Sequence, residues 1–354
     1  MKVGIVGAGP SGLYLAILLA RSNPRHEITV YERNAPDATF GWGVVFSEET
    51  LGTLRDADGE TYLRITDTFA RWDAVDISYR GEVVRCRGHA FSAIARKRLL
   101  AILQQRAAGL GVKLNFGREI AGVGDVTDLD VDLVVGADGV RSVVRAADEA
   151  SFRPDIGPQG CKYVWFGTDL VFDAFRFIFA ESEHGLFQVH AYPFDEDTST
   201  FIVECREETW RAAGLDTMSE RQSIAFCQQL FAAELGGHRL MSNKSDWLDF
   251  PRIRTRSWHT TLGDTPAVLL GDAAHTAHFT IGSGTKLAME DAVALANALS
   301  VADDVRAALV RYEQERQPVV ERFQEAAADS ADYFTRVRHH THLEPPQFAV
   351  NLLT

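Results

Sequence analysis

The first residues of the chain alternate between apolar segments and turn-forming residues in the order of a strand, a helix and a second strand. Lys2–Val6 (KVGIV) predicts a buried strand, and the apolar stretch beyond the next glycines predicts a helix ending near Ala20. Glu27–Tyr31 (EITVY) predicts the next strand. The turn Gly7–Gly12 (GAGPSG) lies between the first strand and the helix, so the chain opens with a β-α-β unit.

This turn matches the G-x-G-x-x-G pattern of dinucleotide-binding proteins. Gly7 permits the tight turn, Gly9 lets the backbone approach a pyrophosphate, and Gly12 lets the helix and strand pack closely. Pro10 and Ser11 begin the helix, whose N-terminus directs free N–H groups and a partial positive charge at the phosphates.

An acidic residue stands where this pattern requires one. Glu32 follows the second predicted strand, 20 residues after Gly12, and a carboxylate there is placed to bind the ribose of an adenosine. Arg33 beside it is placed to meet the phosphates. A secretory signal is the alternative reading of this opening, but its glycines would interrupt the apolar helix of a signal. We therefore predict an adenine dinucleotide site.

The later segments show two kinds of pattern. The first kind, continuous apolar runs and helical periodicity, is typical of a parallel sheet covered by helices. It predicts the strands Val112–Phe116, Val131–Val135 and Ala267–Gly271 and the helices Arg96–Gly109, Gly284–Leu299 and Leu309–Ser330. The second kind, an alternation of apolar and polar residues rich in aromatic side chains, is typical of an antiparallel sheet. It predicts strands over Lys162–Thr168, Phe175–Phe179, Gly185–Phe194 and Thr198–Arg206. A helix over Met218–Leu235 is predicted to follow them.

The predicted fold class is α/β, or α+β over the whole chain. Residues 1–150 and 262–354 form a discontinuous Rossmann-like dinucleotide-binding domain. Residues 151–261 form an inserted, mainly antiparallel β-sheet substrate domain.

Composition limits the binding partners and the cellular compartment that we expect for the chain. A net charge of −13 disfavours a nucleic-acid surface. The sequence has no apolar run of the roughly 18 residues that a membrane helix needs. Its four cysteines include no C-x-x-C pair, which disfavours a metal site, and free thiols fit a reducing cytoplasm. We expect a cytoplasmic monomer or homodimer.

Two further predicted strands end in an aspartate. LVVGADGVRSVVR brings Asp138 to a turn after one strand, and VLLGDAAH brings Asp272 to a turn after another. Because ligands of open parallel sheets bind at the carboxyl ends of the strands, both aspartates and the glycine loop should meet in one crevice. A carboxylate there can accept hydrogen bonds from ribityl hydroxyls, which predicts FAD. Either aspartate alone could instead cap a helix.

These motifs together resemble the single-component FAD-dependent aromatic hydroxylases of the p-hydroxybenzoate hydroxylase type. That family combines the glycine loop with a DG motif, here Asp138-Gly139, and a GD motif, here Gly271-Asp272. Arg96 in ARKRLL matches the arginine that the family places on the flavin side. The resemblance implies FAD as cofactor and NAD(P)H as a transient co-substrate.

Other flavin contacts are implied by the same resemblance. It places Val44 and Val45 and the backbone of Gly284, Thr285 and Lys286 beside the flavin. The chain departs from the family in TIGSGTK, which lacks the usual proline before the last glycine pair and the asparagine after it. Contacts made by those side chains are therefore not carried over.

Longer segments resemble the branch of the family that includes the salicylyl-CoA 5-hydroxylases and the 2-aminobenzoyl-CoA monooxygenases. They are TFGWGVVFSEETLGTLR, KYVWFGT, HAYPFDEDTSTFIVE, GDAAHTAHFTIGSGTKLAMEDA and THLEPPQFAVNLLT. The resemblance implies a monooxygenase that hydroxylates an aromatic acyl-CoA thioester with NAD(P)H and dioxygen through a flavin C4a-hydroperoxide. The alternatives are a hydroxylase of a free aromatic or indole substrate, which several of these segments also resemble, a flavin reductase without oxygen transfer, and a non-enzymatic binding protein.

The aromatic segments supply the candidate substrate residues. Alternation places Gln188, His190 and Tyr192 on one face of a strand, and pairing of Tyr192 with Thr200 would set Gln188 opposite Glu204. His190 or Tyr192 would polarise a substrate hydroxyl. The alternative is that they are satisfied polar groups of a half-buried sheet.

Two other groups remain open between a functional and a structural role. His278 is predicted to line the cavity near the flavin, whereas a metal pair with His275 is disfavoured because glycines follow too closely for a long helix. Arg252 and Arg254 in PRIRTRSW would form a basic rim for the phosphates of CoA, or a solvated sheet edge.

Overall fold

The parallel and antiparallel segments form two separate sheets in the computed structural model. The model describes the backbone of residues 1–354 and the side chains of all residues except 48–50 and 159. The strands are β1 (Lys2–Val6), β2 (Glu27–Glu32), β3 (Gly43–Phe46), β4 (Ala70–Tyr79), β5 (Glu82–Ala95), β6 (Lys113–Phe116), β7 (Leu133–Gly136), β8 (Pro154–Thr168), β9 (Phe175–Ser182), β10 (Gly185–Pro193), β11 (Ser199–Arg206), β12 (Leu240–Met241), β13 (Leu248–Thr255), β14 (His259–Leu262) and β15 (Thr265–Leu269).

Helices connect and cover these strands. They are α1 (Pro10–Ser22), α2 (Glu48–Ala57), α3 (Gly59–Thr66), α4 (Arg96–Gly109), α5 (Val123–Thr127), α6 (Val143–Ala147), α7 (Glu149–Phe152), α8 (Glu207–Ala212), α9 (Glu220–Leu230), α10 (Ala232–Leu235), α11 (Gly284–Val301), α12 (Val305–Arg336) and α13 (Pro345–Leu353). No helix among the described residues is long and apolar enough to cross a membrane.

The first sheet has the order β14-β15-β7-β1-β2-β6. Its strands are parallel apart from β14, which pairs antiparallel with β15. Because β15, β7 and β1 are neighbours with the same direction, the loops that follow them lie at one edge of the sheet. This arrangement confirms the predicted dinucleotide-binding topology.

Helix packing gives this sheet its apolar core. The predicted helix Arg96–Gly109 is confirmed as α4, and α1, which is buried from Pro10 to Ala20, packs against α11. The β1 side chains Val3 and Ile5 are fully buried in the same cluster. Such burial leaves the loops at the sheet edge as the accessible part of this layer.

The second sheet has the order β12-β8-β11-β10-β9-β4-β5-β3, with β13 also paired to β8. Gln188 lies opposite Glu204 and Tyr192 lies opposite Thr200, which confirms the predicted register. Phe187, Val189 and Ala191 alternate with these residues and are buried in an apolar core with α9 and α10. The face that carries Gln188, His190 and Tyr192, called here the aromatic face, therefore points away from that core.

The structure differs from the predicted organisation in three places. Residues 43–95 supply β3, β4 and β5 to the antiparallel sheet, although the sequence assigned them to the dinucleotide-binding domain. The helix predicted for Met218–Leu235 is divided at Phe231 into α9 and α10. Strand β8 begins at Pro154, eight residues before its predicted start. The sheet that residues 43–95 join and the start of β8 both depend on pairing between strands that are distant in sequence, and local patterns carry no information on such pairing. The exact domain boundaries stay a prediction.

Candidate active site

The glycine loop after β1 is in van der Waals contact with the loop after β7. Gly7 has a φ of +104°, and a Cβ atom there would lie 2.2 Å from the carbonyl oxygen of Ala137. A Cβ atom at Gly12 would lie 2.2 Å from the carbonyl oxygen of Gly7, so the helix could not approach the loop. At Gly9 a Cβ atom would meet only the Ala137 oxygen, at 3.9 Å. Gly7 and Gly12 are therefore needed for packing, and Gly9 faces open space.

The loop after β15 joins the same place. Arg145 donates to the carbonyl oxygens of Val140 and Ala273, both at 2.6 Å, and so connects the loops after β7 and β15. A Cβ atom at Gly271 would lie 3.3 Å from Ser11 Oγ at the start of α1. The three predicted loops thus converge on one crevice.

The N-terminus of α1 faces this crevice without a side-chain cap. Gly9 is the N-cap residue, Pro10 occupies the first turn, and no acidic side chain lies in that turn. The N–H groups of the first turn have no partner within the helix, so they can bind an anion.

Glu32 ends β2 beside the glycine loop. Its Oε2 accepts the Ala8 N–H at 3.0 Å, and its Oε1 accepts the backbone and side-chain N–H groups of Asn34 at 2.8 and 2.7 Å. These bonds hold the carboxylate in place and leave Oε2 one lone pair for a ribose hydroxyl. Arg33 beside it is exposed.

Asp138 caps a helix and also carries an unpartnered oxygen. Its Oδ2 accepts the N–H groups of Val143 and Val144 in the first turn of α6, although the N-cap residue of that helix is Ser142. Its Oδ1 is buried without a hydrogen-bond partner. Burial raises the pKa of this carboxyl despite its hydrogen bonds. An orphaned acceptor at this depth suits a ligand hydroxyl.

Asp272 and Arg96 bring opposite charges to the crevice. The Asp272 side chain is exposed in the crevice, and no described residue donates a hydrogen bond to the Asp272 carboxylate. The surrounding protein raises the pKa of that carboxyl, and His275 and Arg96 oppose the shift. The Arg96 guanidinium is half-buried and likewise has no hydrogen-bond partner in the described part of the chain. Desolvation lowers its pKa, although Asp272 favours the charged form.

Buried side chains fix the loop that carries Asp272. His275 Nε2 lies 2.7 Å from Asp291 Oδ2, which also accepts the Gly271 N–H at 3.1 Å. Arg316 Nε donates to the other Asp291 oxygen at 2.9 Å. Burial alone would raise the pKa of Asp291, but His275 and Arg316 hold it below its ordinary value. His275 thus positions the loop.

The remaining predicted flavin contacts lie where β3 meets the start of α11. Val44 is buried and Val45 half-buried, and a Cβ atom at Gly282 would lie 4.0 Å from the Val45 side chain. Gly284 and Thr285 begin α11 and are partly exposed. The Lys286 ammonium lies 4.9 Å above the ring of Phe323 and 3.9 Å from Glu290, facing the protein interior.

The aromatic face holds a buried polar pair. His190 Nε2 lies 3.2 Å from Glu204 Oε2, with the two side chains 2% and 1% exposed. Phe177, Phe279 and Phe334 surround the imidazole, with ring centroids 4.9–5.5 Å from it. Burial disfavours the Glu204 carboxylate, but the hydrogen bond from His190 keeps its pKa below the ordinary value.

His278 and Cys161 extend this buried group. His278 Nε2 lies 3.3 Å from Cys161 Sγ, and its Nδ1 lies 3.2 Å from Thr280 Oγ1. Burial lowers the pKa of His278 to about 4 and raises the pKa of the Cys161 thiol. Ligand atoms of Cys161, Glu204 and His278 lie within 4.8 Å of one another. A neutral imidazole beside a protonated thiol is a hydrogen-bonded arrangement, and His275 lies elsewhere, on Asp291.

Tyr192 and Tyr163 share the aromatic face but differ in their hydroxyl groups. Tyr192 Oη donates to the Gly43 carbonyl oxygen at 3.1 Å and is buried. Tyr163, directly opposite Glu204 on β8, is half-buried, and no hydrogen bond joins its hydroxyl to a described residue. Its ring packs 5.0 Å from Phe279. Burial raises the pKa of Tyr163 to about 12, so the hydroxyl stays protonated and can donate.

Some of the predicted substrate residues on the sheet already form hydrogen bonds within the protein. Gln188 is buried, and its Oε1 has no partner. Arg252 donates both of its terminal nitrogens to Asp155, at 2.8 and 3.2 Å. Arg254 and Arg256 act electrostatically on the same carboxylate and help to lower its pKa. Asp155 offsets part of the predicted basic rim.

The residues of the crevice fit FAD. An uncapped helix N-terminus faces an open space beside Gly9, and Glu32 retains a lone pair. Asp138 and Asp272 present acceptor oxygens that have no hydrogen-bond partner among the described side chains. The sequence model of the FAD binding domain family matches residues 1–327. The chain belongs to the FAD-dependent aromatic monooxygenases.

Curated relatives agree with this assignment. The chain is 42% identical to salicyloyl-CoA 5-hydroxylase from a Streptomyces species, over 100% of this chain and 69% of the relative. It is 37% identical to 3-hydroxy-4-methyl-anthranilyl-[aryl-carrier protein] 5-monooxygenase from Streptosporangium sibiricum, over 95% of this chain and 90% of that relative. It is 33% identical to protodeoxyviolaceinate monooxygenase from Chromobacterium violaceum, over 98% of this chain and 92% of that relative.

Solved structures share the fold of this monooxygenase. The tetrameric form of 2-methyl-3-hydroxypyridine-5-carboxylic acid oxygenase superposes with a TM-score of 0.77 at 20% identity, over 94% of this chain and 91% of the other. PqsL from P. aeruginosa in complex with 2-aminobenzoylacetate superposes with a TM-score of 0.72 at 20% identity, over 100% of both chains. They confirm the predicted Rossmann-like fold, and the match to the FAD binding domain family confirms FAD as the cofactor.

Sequence analysis missed two residues that shape the site of this monooxygenase. Asp291 holds the loop after β15, and Tyr163 presents the unpartnered hydroxyl of the aromatic face. Arg145, by contrast, was recognised with the DG motif, and the structure shows that it connects the loops after β7 and β15. Asp291 and Tyr163 lie far along the chain from their partners, and no local pattern identifies them.

Proposed function

We propose that the chain hydroxylates an aromatic ring carried as an acyl-CoA thioester, with NAD(P)H and dioxygen as co-substrates. Two of the relatives support the thioester, because their names specify salicyloyl-CoA and an anthranilyl group on an aryl-carrier protein. These relatives share 42% and 37% of aligned residues with the chain.

One observation carries the proposal: the segment that follows Asp272 in the crevice reaches the aromatic face. Phe279 in that segment packs with its ring centroid 5.5 Å from that of His190 and 5.0 Å from that of Tyr163. A flat aromatic ring on that face would therefore lie between the sheet and the cofactor loops.

The chain's residues would divide the work around a bound cofactor. FAD, when bound, accepts a hydride from the nicotinamide and delivers one atom of dioxygen to an electron-rich ring carbon. The loops at Gly9, Glu32, Asp138 and Asp272 would hold it. The rings around His190 exclude water, which protects the oxygen-transfer step from wasteful decay.

Two side chains, Tyr163 and His190, would orient the ring and hold its protons. The Tyr163 hydroxyl is free to donate to a substrate oxygen. Glu204 keeps His190 oriented through Nε2 and would stabilise an imidazolium if His190 accepted a proton from a ring hydroxyl or amine. His278, which stays neutral, would accept no proton near pH 7.

A substrate panel tests the proposal. Salicylyl-CoA, 2-aminobenzoyl-CoA and benzoyl-CoA are compared with their free acids, and NADH oxidation, oxygen uptake and hydroxylated product are measured together. We expect product only from thioesters with a ring hydroxyl or amine. Product from the free acids and none from the thioesters would refute the proposed substrate. NADH oxidation without oxygen uptake would instead indicate a flavin reductase.

A free aromatic or indole substrate is the second candidate. It is favoured by the 33% identity to protodeoxyviolaceinate monooxygenase over 98% of this chain. Adding indole carboxylates to the same panel separates the two candidates, because only one class should give coupled oxygen uptake and product.

A further inference from the structure

A large cavity lies beside the aromatic face, between the helices α2 and α3 and the strands β4 and β5. Its volume is about 710 Å³, within the range of small-molecule sites. It is lined by Leu51, Gly52, Arg55, Tyr62, Thr66, Arg71, Trp72, Asp73, Ala90, Phe91 and Ser92. None of these residues belongs to the cofactor loops.

The inner wall of this cavity packs against the aromatic face. Trp72 stacks on Tyr192 with ring centroids 6.1 Å apart, and Phe91 packs 6.4 Å from Phe175. Phe175 in turn lies 5.5 Å from Tyr192. The rings that line the cavity therefore pack in one cluster with Tyr192, and the cavity borders the face on which an aromatic substrate would lie.

The cavity presents donors and positive charge. Arg55 and Arg71 are both exposed. Arg55 Nε donates to Asp56 at 3.2 Å, which leaves its terminal nitrogens for a ligand, and Arg71 donates one terminal N–H to the Thr66 carbonyl oxygen at 2.9 Å. The Trp72 indole N–H is buried without an acceptor, on a side chain that is 6% exposed. The carboxylate in the wall, Asp73, lies 3.6 Å from Arg87 outside the cavity. Arginine donors and an orphaned N–H call for an elongated ligand with carbonyl and phosphate oxygens.

We propose that this cavity binds the phosphopantetheine arm of a thioester substrate. The inference rests on the proposed function and adds the place where the non-reacting part of the substrate is held. The amide carbonyls of the arm would meet the Trp72 N–H, and its phosphate would meet Arg55 and Arg71. The same arm occurs in CoA and on carrier proteins, so the chemistry named is the arm itself.

Two other places on the molecule suit a phosphate less well. Arg252 is already paired with Asp155 through two hydrogen bonds. A second cavity, of about 270 Å³, reaches Gln188 but has Glu181, Glu204 and Glu208 in its walls, which would repel a phosphate.

The test measures the steady-state kinetics of Arg55→Gln and Arg71→Gln with two thioesters of the same aromatic acid. One is the CoA thioester, and the other is the pantetheine thioester, which has no phosphate. Because each arginine would lose a charge-assisted contact, we expect KM for the CoA thioester to rise about tenfold with kcat unchanged. KM for the pantetheine thioester should stay the same. Arg64→Gln, on the exposed part of α3 and outside the cavity, is the matched control.

Each other result overturns the assignment. Unchanged KM values in both variants, an equal rise for both thioesters, or a rise confined to Arg252→Gln would remove the cavity as the phosphate site. If the wild-type enzyme hydroxylates neither thioester, the proposed function fails and the inference with it. Normal wild-type turnover with arginine-insensitive KM refutes the inference alone. A phosphopantetheinyl carrier protein loaded with the same acid, used in parallel, shows which source of the arm is preferred.

Discussion

The cofactor crevice and the aromatic face use the polypeptide in different ways. The crevice is built largely from backbone in short motifs: Gly7, Gly9 and Gly12 lie within six residues, and their roles follow from missing Cβ atoms. The aromatic face is built from side chains that are distant in sequence, such as His278 and Cys161, which are 117 residues apart. A local pattern can therefore specify the first region, whereas strand register and packing create the second.

This difference has a consequence for mutation. Changes in the crevice should separate folding from cofactor binding, because some of its groups have no protein partner. Changes to the paired polar groups of the aromatic face should alter stability and activity together, because these groups bind each other in a dry environment. Tyr163, whose hydroxyl bonds to no described residue, is the exception. Four predictions test this contrast, from the largest expected effect to the smallest.

Gly7→Ala should have the largest effect. The new Cβ would lie 2.2 Å from the Ala137 oxygen at a φ of +104°, so we expect a loss of about 3 kcal/mol or more in the free energy of unfolding. Gly9→Ala is the matched control, since its Cβ meets only one atom, at 3.9 Å. It should keep the melting temperature of the apoprotein and weaken FAD binding. Equal melting temperatures for the two variants would contradict this reading of the loop.

His278 should make the protein acid-sensitive. Its pKa falls from 6.5 to about 4 on folding, so the unfolded state binds a proton first as the pH drops. The stabilising effect is complete above pH 6.5 and is lost between 6.5 and about 4, a decrease of about 3 kcal/mol. Urea unfolding at a series of pH values should show this slope in the wild type and a flatter one in His278→Gln. The exposed His342→Gln should behave as wild type.

Asp272→Ala and Asp138→Ala should separate binding from stability. Asp272 has no hydrogen-bond donor among the described residues, so its loss should leave the melting temperature nearly unchanged and weaken FAD binding roughly 30-fold. Asp138 caps α6, so its removal should also cost about 1 kcal/mol of folding free energy. Flavin fluorescence titration and thermal unfolding measure the two effects. Full flavin retention by Asp272→Ala on dilution would exclude its proposed role.

The smallest effects are expected from the two tyrosines. Tyr163→Phe removes an unpartnered hydroxyl and should lower hydroxylation per NADH oxidised while the melting temperature stays constant. Tyr192→Phe removes the bond to the Gly43 carbonyl and should cost about 1 kcal/mol of stability. A stability loss in Tyr163→Phe, or none in Tyr192→Phe, would mean that the assignments of the two hydroxyls are reversed.

Much of the cofactor region was predictable because its signals are local. The strands β1, β2 and β7, the glycine turn, Glu32 and the two aspartate turns each follow from a few adjacent residues. The pairing of Gln188 with Glu204 was also predictable, since a short loop sets the register of its hairpin. By contrast, the three strands from residues 43–95 join the antiparallel sheet through partners that no local pattern names.

The amino-acid sequence by itself determined the dinucleotide turn, the alternation of the aromatic strands and the family of the chain, because those properties depend on residue type and short spacing. Only the tertiary structure decided that Asp138 caps a helix while keeping one oxygen free, that Tyr192 is engaged and Tyr163 is not, and that Arg252 is paired with Asp155. The physical reason is that hydrogen-bond satisfaction, burial and pKa depend on which distant groups meet in space, and that is settled by packing.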